Sequence, residues 1–122
     1  MNEIKLTDSE KTLMEILWEK EKAFMKEILE AYAAPKPAST TIATLLKRMQ
    51  NKDLVGFKLY GNSREYFPKV AKSDYFKDEM TTMIDRFFNS SVTQFAWFFT
   101  SNSKLTQKDL KELRDIIDQQ IK

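Results

Sequence analysis

The hydrophobic period of this 122-residue chain changes twice, and these changes constrain its fold more than any other feature. Apolar residues recur at helical spacing up to about residue 50, at strand-like spacing between residues 54 and 70, and at helical spacing again from residue 73. The pattern predicts a mainly α protein with one small β-hairpin between two helical regions.

Two helices are predicted first. Thr7 and Glu10 have the spacing of a capping box, so the first helix should start there and run to about Lys20. The second helix covers residues 24–32 and ends before Pro35, because proline lacks the amide hydrogen that a helix needs.

A third helix opens at Ser39 or Thr40 and leads into the hairpin. Its apolar stripe consists of Ile42, Leu45, Leu46 and Met49. Strands are predicted at residues 54–60 and 65–70, with Gly61 supplying the positive φ that a tight turn needs. Three helices followed by a hairpin is the order of a winged helix-turn-helix domain, in which the hairpin is the wing.

Residues 73–122 are predicted to form three further helices, rich in phenylalanine and separate from a winged domain at residues 1–72. The last of them starts at a Thr106 cap with Asp109 three residues on, and Leu105 and Leu110 form a hydrophobic staple.

About 50 residues are marginal for an independent core, so we expect a homodimer. The expected interface comprises Phe76, Met80, Met83, Ile84, Phe87, Phe88, Phe95, Phe99, Leu110, Leu113 and Ile117. The alternative is that these helices pack back on the N-terminal domain.

Positive charge is concentrated in residues 36–72, which contain eight Lys and Arg residues but only two acidic residues. Residues 1–35 sum to −3 and residues 73–122 to −1, so the other two segments are weakly acidic. A basic block on such a scaffold is typical of a nucleic-acid-binding surface. A solvated, lysine-rich surface without a ligand would have the same composition.

The chain has neither cysteine nor histidine, which excludes disulfides, zinc fingers, thiol nucleophiles and histidine general bases. It also has no glycine-rich phosphate loop and no nucleophile elbow. We therefore expect no enzyme activity, no metal site and no cofactor.

The first eight residues lack the apolar run of a signal peptide, and no stretch approaches the roughly 20 apolar residues that span a bilayer. A cytoplasmic protein without membrane insertion is expected.

Four segments occur in the order and spacing of one known family. They are residues 6–18, residues 39–55, residues 64–68 and residues 105–117. Together they resemble the BlaI/MecI penicillinase-repressor family of bacterial transcription regulators over nearly the whole chain. The resemblance implies a homodimeric repressor that places its third helix in the major groove of a palindromic operator.

The resemblance also implies relief of repression by a membrane sensor-protease system, which cuts the repressor in its dimerisation region. Aligned on residues 112–116, the family's Asn-Phe cleavage pair falls on Phe98 and Phe99, so the phenylalanine is kept and the asparagine is not. Ala43 is a second departure, because relatives often carry a basic residue there. Copper-responsive relatives use C-terminal cysteines, which this chain lacks.

The predicted DNA-binding residues lie on the third helix and the wing. They are Ser39, Thr40, Thr41, Thr44, Lys47, Arg48, Lys58 and Arg64. Hydroxyl and methyl groups can contact bases, and cations contact phosphates with a strong dependence on salt. For Thr40 the alternative is a helix cap, and for Trp18 packing in the core is favoured over base stacking.

Two other functions stay open from the sequence alone. One is a winged-helix protein-interaction module whose basic face is incidental, for which replacing Lys47 and Arg48 would leave function intact. The other is a ligand-responsive regulator whose phenylalanines at positions 87–99 line an effector pocket, which a thermal shift with candidate effectors would reveal.

Overall fold

The structure is a computed structural model that describes residues 5–121. Within these residues the elements are α1 (Asp8–Lys20), β1 (Ala23–Phe24), α2 (Met25–Ala31), α3 (Ser39–Asn51), β2 (Val55–Tyr60), β3 (Ser63–Pro68), α4 (Lys72–Phe87), α5 (Val92–Asn102) and α6 (Gln107–Gln120). This mainly helical architecture with one small sheet confirms the predicted fold class. In the described part of the chain, no helix combines the length and the apolar character needed to cross a membrane.

The predicted capping boxes explain where two of the helices begin. The Thr7 hydroxyl accepts a hydrogen bond from the Glu10 backbone amide at 3.2 Å. The Glu10 carboxylate accepts one from the Thr7 backbone amide at 2.9 Å. Thr106 and Asp109 make the same reciprocal pair at the start of α6, with both distances at 3.0 Å. Each box satisfies two backbone amides that would otherwise lack an acceptor at a helix end.

The strands form one antiparallel sheet in the order β1-β3-β2. β2 and β3 are the predicted hairpin, with Gly61 at φ +64° in the turn and Pro68 at the end of β3. β1 was not predicted. The sequence pattern placed Phe24 in the second helix, which is wrong, because Phe24 pairs with Glu65 of β3 and α2 begins at Met25.

A closed hydrophobic core lies in the compact unit that ends at Asp78. Its buried side chains are Leu13, Met14, Leu17, Ala23, Ile28, Ile42, Leu45, Leu46, Met49, Leu54, Val55 and Tyr66. Trp18 packs against this core and donates its indole N–H to the Val70 carbonyl oxygen at 2.8 Å. Its ring also contacts Tyr75 and Phe76 of α4. Trp18 is therefore a packing residue, as predicted.

The residues from Glu79 onward form a second compact unit. Phenylalanine rings contact one another inside it, with centroids 5.5 Å apart for Phe88 and Phe95. No described residue of α5 or α6 is buried. The boundary expected after residue 72 falls in the first turn of α4 and stays a prediction.

Candidate nucleic-acid interface

One face of α3 is buried and the opposite face is exposed. The buried stripe is Ile42, Leu45, Leu46 and Met49, none of which is more than 5% exposed. The predicted DNA-binding residues of this helix, Ser39, Thr40, Thr41, Thr44, Lys47 and Arg48, are all exposed. Packing therefore fixes α3 on one side and leaves its polar side available to a ligand.

The exposed residues of α3 form two adjacent stripes. Thr40, Thr44 and Lys47 follow one another at i, i+4 and i+7, so they share one stripe. Thr41 and Arg48 share the neighbouring stripe, which borders an open groove of about 270 Å³ beside α1. The structure thus brings five of the six predicted helix residues together on two neighbouring stripes, whereas Ser39, the first residue of α3, is exposed outside both.

The threonines of α3 are not used as helix caps. The N-cap residue is Ala38, and no side chain accepts a hydrogen bond there, so the alternative role of Thr40 as a cap is wrong. The Thr44 hydroxyl donates to the Thr40 carbonyl oxygen at 3.0 Å, which leaves the Thr44 oxygen free to accept a hydrogen bond. These side chains therefore keep acceptors and methyl groups that can contact DNA.

Glu10 is a buried carboxylate that engages one cation of the basic block. Its side chain is 0% exposed and accepts the Lys52 ammonium at 2.7 Å. Burial raises the pKa of Glu10, but hydrogen bonds from Lys52 and Thr7, together with the Lys52 charge, outweigh it, so the pKa is lowered. The pair joins the start of α1 to the end of α3 and places a carboxylate beside the Lys52 charge, while the Lys52 side chain stays 43% exposed.

A second cation of the basic block is also engaged. Lys69 donates to the Asp53 carboxylate at 2.8 Å, and this hydrogen bond lowers the pKa of Asp53. Among the described residues, neither Lys47 nor Arg48 has an acidic partner within ion-pair distance. The uncompensated charge of α3 therefore coincides with its predicted DNA-binding residues.

The two predicted wing cations lie on opposite faces of the hairpin. Arg64 is paired across the hairpin with Leu59, the neighbour of Lys58 in β2, and successive residues of a strand point to opposite sides. The Arg64 guanidinium carbon lies 4.3 Å from the centroid of the Phe57 ring, whereas Lys58 Nζ lies 5.4 Å from that of Tyr60. Both cations are exposed, and their contributions to DNA binding should be separable by mutation.

Asn51, the last residue of α3, is a further candidate that sequence reasoning did not name. It is exposed and continues the stripe of Thr44 and Lys47, because it lies four residues after Lys47. A side-chain amide can make the paired hydrogen bonds that read adenine in the major groove. That spacing was the signal that would have identified it.

Most residues of the expected dimer interface are exposed in the single chain. Phe76, Met80, Phe87, Phe99, Leu110, Leu113 and Ile117 are exposed, and Met83, Ile84, Phe88 and Phe95 are half-buried. Phe98 and Phe99, the candidate cleavage pair, lie inside α5 and are 54% and 46% exposed. All these positions stay predictions for dimerisation and cleavage.

Comparison with known proteins identifies the family. The model of the penicillinase repressor family matches residues 6–119, which is nearly the whole chain. The chain belongs to the penicillinase repressor family. Members of this family are DNA-binding transcriptional repressors with a winged helix-turn-helix and are not enzymes, which confirms those predictions.

Three curated members of the penicillinase repressor family are similar to the chain over nearly full length. The penicillinase repressor of Bacillus licheniformis is 24% identical over 115 residues, which cover 93% of this chain and 90% of that protein. The penicillinase repressor of Staphylococcus aureus is 25% identical over 119 residues, 95% of this chain and 93% of its own length. The methicillin resistance regulatory protein MecI of Staphylococcus epidermidis is 25% identical over 114 residues, 93% of each chain.

Proposed function

We propose that this protein is a homodimeric repressor that binds a palindromic operator through the outer face of α3 in each subunit. The observation that carries the proposal is the exposed stripe of Thr40, Thr44 and Lys47, which carries uncompensated positive charge opposite a buried stripe. An α-helix fits the major groove, where hydroxyl and methyl groups distinguish base pairs. Lys58 and Arg64 of the wing would add contacts to the DNA backbone.

The apolar surface of the second unit supports the homodimer. Phe87 is 70% exposed, Ile117 is 55% exposed, and several other large apolar side chains of the same unit are also exposed. Large apolar side chains exposed in such number favour an interaction site, because they would otherwise face water. A second copy of the chain is the partner that also matches the two-fold symmetry of a palindromic operator.

Selection of bound sequences from a random duplex pool tests the proposal. The experiment is run at about physiological salt, where non-specific binding is weak. We expect an enriched palindrome whose half-site centres lie about 10 bp, or a multiple of that, apart. If a folded, dimeric sample enriches no motif, the repressor function is wrong and a protein partner becomes the better explanation.

Substitution of the α3 cations then assigns the binding surface. The double variant Lys47→Ala/Arg48→Ala should weaken binding to every duplex. It should also lower the salt slope of log K by roughly 3.6, about 0.9 for each of the four phosphate contacts that the two subunits lose. The double variant Lys77→Ala/Lys108→Ala is the matched control, because it also removes two exposed cations, and both lie outside the proposed surface. Equal losses in the two variants would show a general charge effect instead of a DNA-binding face.

Relief of repression by cleavage between Phe98 and Phe99 is the second part of the proposal. The agent would be a sensor-protease system, and the repressor itself would act in the cytoplasm, where bacterial DNA lies. Because the bond lies inside α5, a protease would need local unfolding of this helix, which contains no buried residue. Mass spectrometry of the repressor from induced cells should show fragments 1–98 and 99–122. Intact chain after loss of repression would rule out this part.

A further inference from the structure

Lys36 holds the end of α2 from the loop that leads into α3. Its ammonium donates to the carbonyl oxygens of Glu30 at 2.9 Å and Tyr32 at 2.7 Å, and it lies 3.5 Å from that of Leu29. The last carbonyls of a helix lack partners within the helix, and a cation there also interacts favourably with the helix dipole. α2 has no basic residue in its own last turn, so Lys36 supplies this cation.

The start of α3 has no side-chain cap of its own. Its N-cap residue, Ala38, contributes no side-chain hydrogen bond. Lys36 lies only three residues before Ser39, and it stands between Pro35 and Pro37, whose rings restrict the backbone on both sides. The anchored lysine and the two prolines therefore hold the short segment from which α3 begins.

We propose that Lys36 is a positioning residue for DNA recognition, which fixes the start of α3 without touching DNA. This inference rests on the proposed function, because Ser39, Thr40 and Thr41 matter only if α3 reads a duplex. When the anchor is lost, the first turn of α3 shifts relative to α2, and the hydroxyls of that turn lose their alignment with the bases. The base contacts that depend on the DNA sequence are weakened, while the phosphate contacts of Lys47 and Arg48 are retained.

The charge of Lys36 alone would suggest a phosphate contact, and the two roles have different signatures. A phosphate contact contributes to binding of every duplex and to the salt slope. A positioning residue alters the preference for the correct sequence and leaves the salt slope unchanged. A purely local cap would change thermal stability and leave both measures of DNA binding unchanged.

The test uses the full chain and two duplexes of equal length, the one enriched by selection and a scrambled one. Affinities are measured over several salt concentrations, well below the unfolding temperature of each variant. For Lys36→Met we expect at least about tenfold weaker binding to the enriched duplex, because each subunit of the dimer loses one charged hydrogen-bonded anchor. Binding to the scrambled duplex and the salt slope should stay at wild-type values. Lys36→Arg should restore the preference, because a guanidinium group can also donate to several carbonyls.

Two control variants calibrate the measurement. Lys47→Met should weaken binding to both duplexes and lower the salt slope by about 1.8, because each of the two subunits loses one phosphate contact. Lys77→Met should change neither quantity. The inference is overturned if Lys36→Met behaves like Lys47→Met, which would indicate a phosphate contact, or like Lys77→Met, which would indicate a local cap. If the wild-type chain itself shows no preference between the duplexes, the proposed function has failed and the inference falls with it.

Discussion

The two compact units differ in how completely they bury their apolar side chains. In the unit that ends at Asp78, the side chains of Leu13, Leu17 and Leu46 are 0% exposed. In the unit that follows, Phe87 is 70% exposed and no described residue of α5 or α6 is buried. The first unit therefore has the packing of an independently stable domain. The second has apolar surface that a partner would cover, so its stability should depend on protein concentration.

The largest expected effect comes from a matched pair of leucines, one in each unit. Leu46→Ala should lower the free energy of unfolding by about 3–4 kcal/mol at any protein concentration, because it leaves a cavity in a closed core. Leu113→Ala should cost less than about 1 kcal/mol in dilute protein and more as concentration rises. Urea denaturation followed by circular dichroism measures both. If both variants lose the same free energy of unfolding at every protein concentration, the two units do not differ in how their apolar side chains are buried.

A charge placed on α6 tests the partner directly. Ile117→Lys should weaken self-association by about 2–3 kcal/mol, roughly 100-fold, because a two-fold interface receives the substitution twice. Sedimentation velocity over a range of concentrations measures the change. Gln119→Lys, which adds the same charge off the apolar stripe, should have little effect. If Gln119→Lys dissociates the protein equally, the stripe is not the interface.

The first unit should be sensitive to acid through its buried carboxylate. Glu10→Gln should cost about 2 kcal/mol at pH 7, because it breaks the ion pair with Lys52. The folded pKa of Glu10 is lowered, so its contribution is present above the ordinary value of 4.5 and is lost as pH falls through the folded pKa. The gap between wild type and variant should therefore close in acid.

Urea denaturation at pH 7 and at successively lower pH measures that gap. Glu112→Gln, which removes an exposed carboxylate of α6, is the matched control for the loss of one charge. A gap that stays constant through the acid range would contradict the role assigned to the Glu10 carboxylate.

The smallest expected effect is a stabilisation within the first unit. Glu21 follows α1 with φ 69° and ψ −36°, a positive-φ backbone conformation that residues with a side chain rarely adopt. Glu21→Gly should raise the free energy of unfolding by about 0.5–1 kcal/mol. Glu19→Gly, inside α1, should lower it by a similar amount. If the unfolding temperature shifts in the same direction for both variants, the backbone conformation of Glu21 is not strained.

Sequence patterns predicted the elements that local chemistry determines. Thr7 with Glu10, and Thr106 with Asp109, are pairs three residues apart, so each capping box is visible in the sequence and is present in the structure. β1 was missed because two residues are too short to show a period, and its only signal is pairing with a strand about forty residues later.

The sequence likewise predicted those parts of the candidate site that local spacing determines. Helical spacing identified the exposed face of α3, although the prediction stopped before Asn51. Spacing could not show that Lys52 is held by Glu10, 42 residues away, because such a pair exists only once the helices pack. Counting basic residues therefore could not show which cations of the basic block have an acidic partner.

The two tryptophans are distributed so that each unit contains one. Trp18 is half-buried beside the closed core, whereas Trp97 of α5 is 74% exposed. Indole emission shifts to longer wavelength and becomes accessible to aqueous quenchers when the ring faces water. The protein therefore contains two natural optical reporters. Trp18 reports the folding of the unit that ends at Asp78, and Trp97 would report assembly if the proposed homodimer covers this face of α5. Trp97→Phe would isolate the first signal without adding a label.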